Sequence, residues 1–170
     1  STDQPAFAAG IAGAIEKSTI TNCSVSGRIR LNGTSRQCGV GGIAGFGNGE
    51  ITNCAVDAEL TVVSVDPKVK TEQYLGGVLA NGYADLDGCT VKLAGFASVH
   101  GYAHHGGLIG LDDINPKNRK HAGYVNNCAV DAKISFFEET DDRRAYCEAY
   151  IGEIQNEQVR LSGNTTVNFE

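Results

Sequence analysis

From Cys23 onward the chain alternates apolar and polar residues, with Cys23, Val25, Gly27, Ile29 and Leu31 on one side and Ser24, Ser26, Arg28 and Arg30 between them. The same alternation returns from Cys54 (Val56, Ala58, Leu60, Val62), from Cys89 (Val91, Leu93, Gly95, Ala97, Val99) and from Cys128 (Val130, Ala132, Ile134, Phe136). A shorter copy, Thr165, Val167 and Phe169, follows. A strict period of two sends successive side chains to opposite faces, so these segments are predicted as half-buried strands and not as helices. Their recurrence makes the repeat, not the single strand, the unit to explain.

Two further landmarks travel with each copy. One is a Gly-bounded apolar stretch: Gly10–Gly13, Gly42–Gly45, Gly77–Ala80, Gly107–Gly110 and a degraded Tyr150-Ile151-Gly152. The other is a corner with an aliphatic residue three positions before the cysteine, as in Ile20-Thr21-Asn22-Cys23, Ile51-Thr52-Asn53-Cys54, Leu86-Asp87-Gly88-Cys89 and Val125-Asn126-Asn127-Cys128. Successive cysteines of this set lie 31, 35 and 39 residues apart, a length that suits a coil of two or three strands with variable loops. The expected fold is all-β: a right-handed parallel β-helix (β-solenoid) of about five coils. A single domain over 1–170 divides into coils at roughly 6–37, 38–73, 74–102, 103–145 and 146–170. Length variation falls in a turn after the Gly-rich stretch, short at 46–49 and long at 111–123, and in the return at 66–68 and 138–142. All are rich in turn residues, as surface loops should be.

Stacking places each residue on its equivalent about 4.8 Å away, so like sits on like. Cys23, Cys54, Cys89 and Cys128 are therefore expected to form a buried ladder of thiols acting as small hydrophobes. Parallel stacked side chains rarely meet disulfide geometry. Cys38 and Cys147 fall in non-adjacent coils and are not expected to pair. Asn22, Asn53 and Asn127 are expected in the left-handed conformation, with Gly88 as the natural substitute.

The segment Gly41-Gly42-Ile43-Ala44-Gly45-Phe46, followed by Gly49-Glu50-Ile51-Thr52-Asn53-Cys54-Ala55-Val56, resembles the GLUG repeat of bacterial surface and secreted proteins. Gly106–Gly110 with Val125–Val130 resembles it too. The resemblance implies a solenoid in an extracellular or cell-surface bacterial setting, as in the non-catalytic regions of immunoglobulin-A-cleaving metallopeptidases and in adhesin-like proteins. It implies no catalytic residues, and the zincin sequence His-Glu-x-x-His is absent from the chain.

Composition narrows the partners. With 22 Gly the chain exceeds the usual ~7% share without a collagen period, which signals many tight turns. A net charge of −6 and a pI near 5.2 argue against nucleic acid, whose phosphates require clustered Lys and Arg. No apolar run approaches the ~20 residues of a membrane-spanning helix. There is no Cys-x-x-Cys, so a thiolate zinc site is not expected, nor is any cofactor or metal.

The residues able to carry chemistry are few. His100, His104, His105 and His121, with Asp112 and Asp113, gather around the fourth coil's entry and its long loop. They are the candidate binding residues, the alternative being exposed loop side chains. Asp57, Lys92 and Asp131 share one outward position on successive coils. That row has the outline of a sugar-processing carboxylate pair, yet alternating charge also relieves like-on-like stacking. Phe96 and Phe137 are isolated outward aromatics, and Tyr74, Tyr102 and Tyr146 precede their Gly-rich stretches at unequal distances. The functional expectation is a non-catalytic structural or adhesive module, part of a larger multi-domain protein, presenting loops to a host or cell-surface protein or glycan. The alternative is a carbohydrate-active enzyme or sugar-binding domain of the pectate-lyase-like β-helix type.

Overall fold

The computed structural model describes residues 4–65, 69–99, 101–112, 124–138, 145–148, 151–154, 160–162 and 166–169. Among these there are strands and no helix. The first nine strands come in threes: β1 (Ala6–Ala9), β2 (Ala12–Thr21) and β3 (Ser24–Gly33); β4 (Gln37–Gly41), β5 (Ala44–Thr52) and β6 (Ala55–Ser64); β7 (Glu72–Gly76), β8 (Leu79–Asp87) and β9 (Thr90–Val99). Then follow β10 (Tyr102–Gly106), β11 (Ile109–Asp112), β12 (Tyr124–Asn126) and β13 (Ala129–Glu138). The last are β14 (Ala145–Glu148), β15 (Ile151–Ile154), β16 (Arg160–Ser162) and β17 (Thr166–Phe169).

Every strand pairs in parallel with its counterpart one repeat along. Three sheets result. The first runs β1-β4-β7-β10-β14 and the third β3-β6-β9-β13-β17. In the second, β2 pairs β5 and β5 pairs β8, after which β11 and β12 both lie on β8 and carry β15 and β16. Parallel sheets wound in this way are a β-solenoid, and its first nine strands complete three turns through all three sheets. Sequence periodicity and sheet register agree residue by residue in the third sheet: Val25, Val56, Val91, Val130 and Val167 are successive partners in one column.

The columns do not simply repeat one side chain; they share out volume. Ile29, Leu60, Gly95 and Ile134 form one column. A Cβ on Gly95 would lie 3.1 Å from Ile134 Cγ1 and 3.3 Å from Leu75 Cδ2, so its neighbours already fill that space. Val56, Leu60, Val62, Ile51, Leu75 and Leu86 are among the buried residues of one continuous core. Full burial of a side chain of this size contributes about 1.5–3 kcal/mol. The first sheet is buried on both faces, which is why its strands lack the alternation of the third. Cys38 and Val40 enter the main core, while Tyr74 belongs with Ala80 and Leu111 to a second cluster, against which Phe7 packs.

The second sheet departs from expectation at one place. Residues 46–49, expected as a turn, continue strand β5. The chain bends inside the strand at Gly47 (φ 124°) and, one turn on, at Gly82 (φ 130°). In the first turn the equivalent bend is a bulge between Ile15 and Ser18, with Lys17 at φ 46° and its N–H donating to Asn48 Oδ1 at 3.0 Å. A Cβ on Gly82 would stand 1.9 Å from the Gly47 carbonyl oxygen, a backbone atom that cannot step aside. Gly82→Ala should therefore destabilise the fold by roughly 2–4 kcal/mol in denaturant titration. Asn53→Gly, at a corner that already requires positive φ, should change it by under about 1 kcal/mol.

Candidate functional site

The corners between the second and third sheets are built from backbone need. Asn22, Asn53 and Asn127 have φ of 55°, 51° and 50°, and Gly88 has φ of 64°. At the same place in each turn a backbone N–H reaches the next turn: Asn22 N–H donates to the Thr52 carbonyl at 3.1 Å, Asn53 to Asp87 at 2.8 Å and Gly88 to Asn126 at 3.0 Å. Glycine at position 88 has a steric reason as well, since a Cβ there would lie 2.5 Å from Asn53 Oδ1. Asp87 Oδ1 then accepts from the side-chain amides of Asn126 at 3.0 Å and Asn127 at 3.2 Å, tying one corner to the next.

Just past each corner stands a cysteine. Cys54, Cys89 and Cys128 are buried and Cys23, in the first turn, is half-buried. The thiols of Cys23, Cys54 and Cys128 each donate to the carbonyl two residues back, at 3.4, 3.3 and 3.3 Å. Cys89 reaches the Ile51 carbonyl of the preceding turn at 3.3 Å. None of the four, nor Cys38, is in a disulfide. The Cys128 thiol beside it and burial together hold Cys89 well above the ordinary thiol range. Burial pushes Cys38 up to about 11. Cys89 and Cys38 therefore stay protonated and shielded, as packing groups and poor nucleophiles. Alkylation of the native protein, read by peptide mass spectrometry, should modify Cys23 at least tenfold faster than Cys89 or Cys38.

The histidine set does not lie as expected. His104 and His105 are neither in a loop nor exposed; both are buried in strand β10. Asp112 is the last residue of β11 and equally buried. His100, Asp113 and His121 lie outside the described residues. His104 occupies the column of Gly39 and Tyr74, and His105 that of Val40 and Leu75. Successive strand residues point to opposite faces, so the two adjacent imidazoles cannot converge on one ion. Among the described residues no group of three or more His, Cys, Asp or Glu side chains could hold a metal ion.

His104 belongs to an aromatic stack. Its ring lies over Tyr74 at 5.4 Å, Tyr74 over Phe7 at 6.0 Å and Phe7 over Phe46 at 5.3 Å. Gly39 makes the stack possible: a Cβ there would sit 2.8 Å from the Phe7 ring, which bridges to Tyr74 across the missing side chain. Tyr74 OH donates to Glu72 Oε2 at 2.7 Å, which also accepts from Gln37 Nε2 at 2.9 Å. Of the three tyrosines compared by sequence distance, Tyr146 shares this column through its register with His104, whereas Tyr102 pairs with Glu72 and is exposed. No family model, curated protein or solved structure matches the chain.

The outward face of the third sheet carries the charged row. Asp57, Lys92 and Asp131 are successive register partners, which puts the two carboxylates roughly 10 Å apart. Lys92 Nζ stands 4.0 Å from Asp57 Oδ2, and one row over Arg28 Nε meets Glu59 Oε2 at 2.6 Å. All four side chains are more than half exposed. Such pairs contribute about 0–1 kcal/mol each, because water screens them. The surrounding depression, of about 460 Å³, is open and lined by short Gly27, Ala58 and Ala94 between these charges. It is a shallow feature of a flat sheet and not a cleft that desolvates a reacting group.

His105 has a measurable consequence. Burial, reinforced by the neighbouring His104, lowers its pKa to about 4. The unfolded chain takes up the proton near pH 6.5, before the folded protein does. Stability is thus complete above pH 6.5 and is lost as pH falls toward 4, by up to about 3 kcal/mol. His105→Leu, which restores the aliphatic column of Val40 and Leu75, should flatten this loss in melting curves recorded between pH 7 and pH 4.

Proposed function

We propose that the chain is a non-catalytic structural or adhesive module, a right-handed solenoid of five coils from a bacterial surface or secreted protein. The observation that carries this reading is the outward face of the third sheet. Its rows Ser24/Ala55/Thr90/Ala129 and Asp57/Lys92/Asp131 follow the register of the backbone. Cation and anion alternate there, and small residues keep the surface flat. Such a face presents charge and hydroxyl groups over a long, rigid plane, which suits contact with a protein or glycan surface. Of the described side chains able to carry chemistry, His104, His105, Cys54, Cys89 and Cys128 are buried. The resemblance of residues 41–56 to GLUG repeats supports the extracellular setting. No described helix is long and apolar enough to cross a membrane.

The enzyme alternative rests on the same charged row, so one experiment separates the two. The chain and its Asp57→Ala/Lys92→Ala/Asp131→Ala variant are incubated with a panel of neutral and acidic polysaccharides. Reducing ends and unsaturated products are then measured. The module reading expects no product from either protein and a melting temperature within a few degrees of each other. Product formed by the parent chain and lost in the variant would replace this reading with the carbohydrate-active one.

A further inference from the structure

Where the third sheet passes into the first, one turn places polar side chains in columns that are small or apolar in its neighbours. Gln73 stands in register between Cys38 and Ala103, and Ser64 in register with Gly33. Cys38 and Ala103 are fully buried. Ser64, Thr71 and Gln73 are enclosed as completely, at 3%, 1% and 0% exposure. Alternation puts Ser64 on the face of β6 that carries Leu60 and Val62, and Gln73 on the face of β7 that carries Leu75. The ladder extends back to Thr71, whose carbonyl accepts from the Tyr102 N–H at 2.8 Å, so Thr71 shares the side of Gln73.

Register also brings these side chains together. A Cβ on Gly33 would lie 2.9 Å from Cys38 Sγ and 3.0 Å from Cys38 Cβ. Ser64 and Gln73 take the same two places one turn on, so the serine side chain starts beside that of the glutamine. Gln73 Nε2 donates to the Ser98 carbonyl, and Ser98 pairs with Val63, the chain neighbour of Ser64. That bond holds the amide at the ends of β6 and β9. Three oxygens remain. Ser64 Oγ, Thr71 Oγ1 and Gln73 Oε1 are shielded from solvent and have no hydrogen-bond partner among the described residues.

Protein interiors satisfy nearly all such groups, with another protein atom or with an enclosed water. The chemistry of this trio selects the occupant. The two hydroxyls can donate or accept, whereas the amide oxygen only accepts. A water molecule answers that set by donating to Gln73 Oε1 and bonding both hydroxyls, which makes the three bonds usual for a buried water. A cation would meet three neutral oxygens. The adjacent carboxylate, Glu72, is engaged elsewhere, with Oε2 accepting from Tyr74 OH and Gln37 Nε2, and an uncompensated charge in the core is strongly disfavoured. We propose that Ser64, Thr71 and Gln73 hold one internal water, which joins the third sheet to the first within this turn. The connection it serves is residues 65–71, longer than residues 34–36 of the turn before. There Gly33 and Cys38 close on each other without a polar bridge.

Water-selective NOE spectra of the isotope-labelled 170-residue chain test this, together with a high-resolution crystal structure. Cross-peaks of the sign that marks a long-lived water are expected at the Gln73 side-chain amide protons. Ser64→Ala/Thr71→Val keeps the shape of both side chains and removes both hydroxyls, so these cross-peaks should disappear. Ser64→Ala alone, in the column of Gly33, should weaken them by at least half while the circular dichroism matches the parent, which keeps the test open if the double variant folds poorly. Electron density should show one water within hydrogen-bond distance of all three oxygens. The proposal is overturned if the parent gives no such cross-peaks, or if either variant leaves them unchanged. It is equally overturned by density in which the three side chains bond one another directly or surround a metal ion.

Discussion

The structure rests on one constraint: every strand hydrogen-bonds, in parallel and in register, to the strand one repeat away. A parallel ladder spaces those strands by about 4.8 Å and admits no slip, because moving one residue would turn the whole apolar set outward. Each residue is thereby judged against the same position in the neighbouring turns, and not against its chain neighbours. Asparagine or glycine at the corner, cysteine just past it and a valine two residues further on are all answers to that comparison. Even the departures obey it. Gly95 gives way to Ile134 and Leu75, and Gly39 lets Phe7 reach Tyr74 across an intervening turn.

Seen along the columns, the chemically capable residues among those described include two kinds. Those on the outer face of the third sheet are solvated and neutralise one another, as Asp57 and Lys92 do. Those in the columns of the first sheet are consumed by packing. His105 takes a place that Val40 and Leu75 hold in earlier turns and remains neutral in the core, at a cost that appears only in acid. His104 acts as one more ring in an aromatic stack. Neither arrangement desolvates a charged group beside an open cleft, which is the environment that reaction sites share. Among the described residues, the outer face of the third sheet is where charged side chains stand in solvent.

The third sheet was legible from sequence because one of its faces is wet, so that burial imposes a period of two on the residues. The Asn corners were legible for a different reason: a left-handed backbone position restricts residue choice on its own. The first sheet was not. Buried on both faces, it shows no alternation, and histidines at 104 and 105 read as loop residues beside a Gly-rich stretch when they are strand residues inside it. The bend at Gly47 likewise reads as a turn, since glycines within a strand and glycines that end one look the same along a linear sequence. Tyr102 and Tyr146 stand close to equivalent places by sequence distance, yet only Tyr146 shares the register of His104. What the sequence concealed was in each case decided by contact with another turn.

Stacking of equivalents can be tested at the level of single hydrogen bonds. Couplings transmitted through N–H···O=C bonds, measured by NMR on the isotope-labelled protein, identify donor and acceptor residues directly. Cross-peaks should join the amide nitrogens of Ala55, Thr90 and Ala129 to the carbonyl carbons of Cys23, Cys54 and Cys89 respectively. Couplings from those same amides to residues within their own repeat, as an antiparallel hairpin would produce, or to carbonyls displaced by one or more residues, would contradict the in-register solenoid and everything built on it.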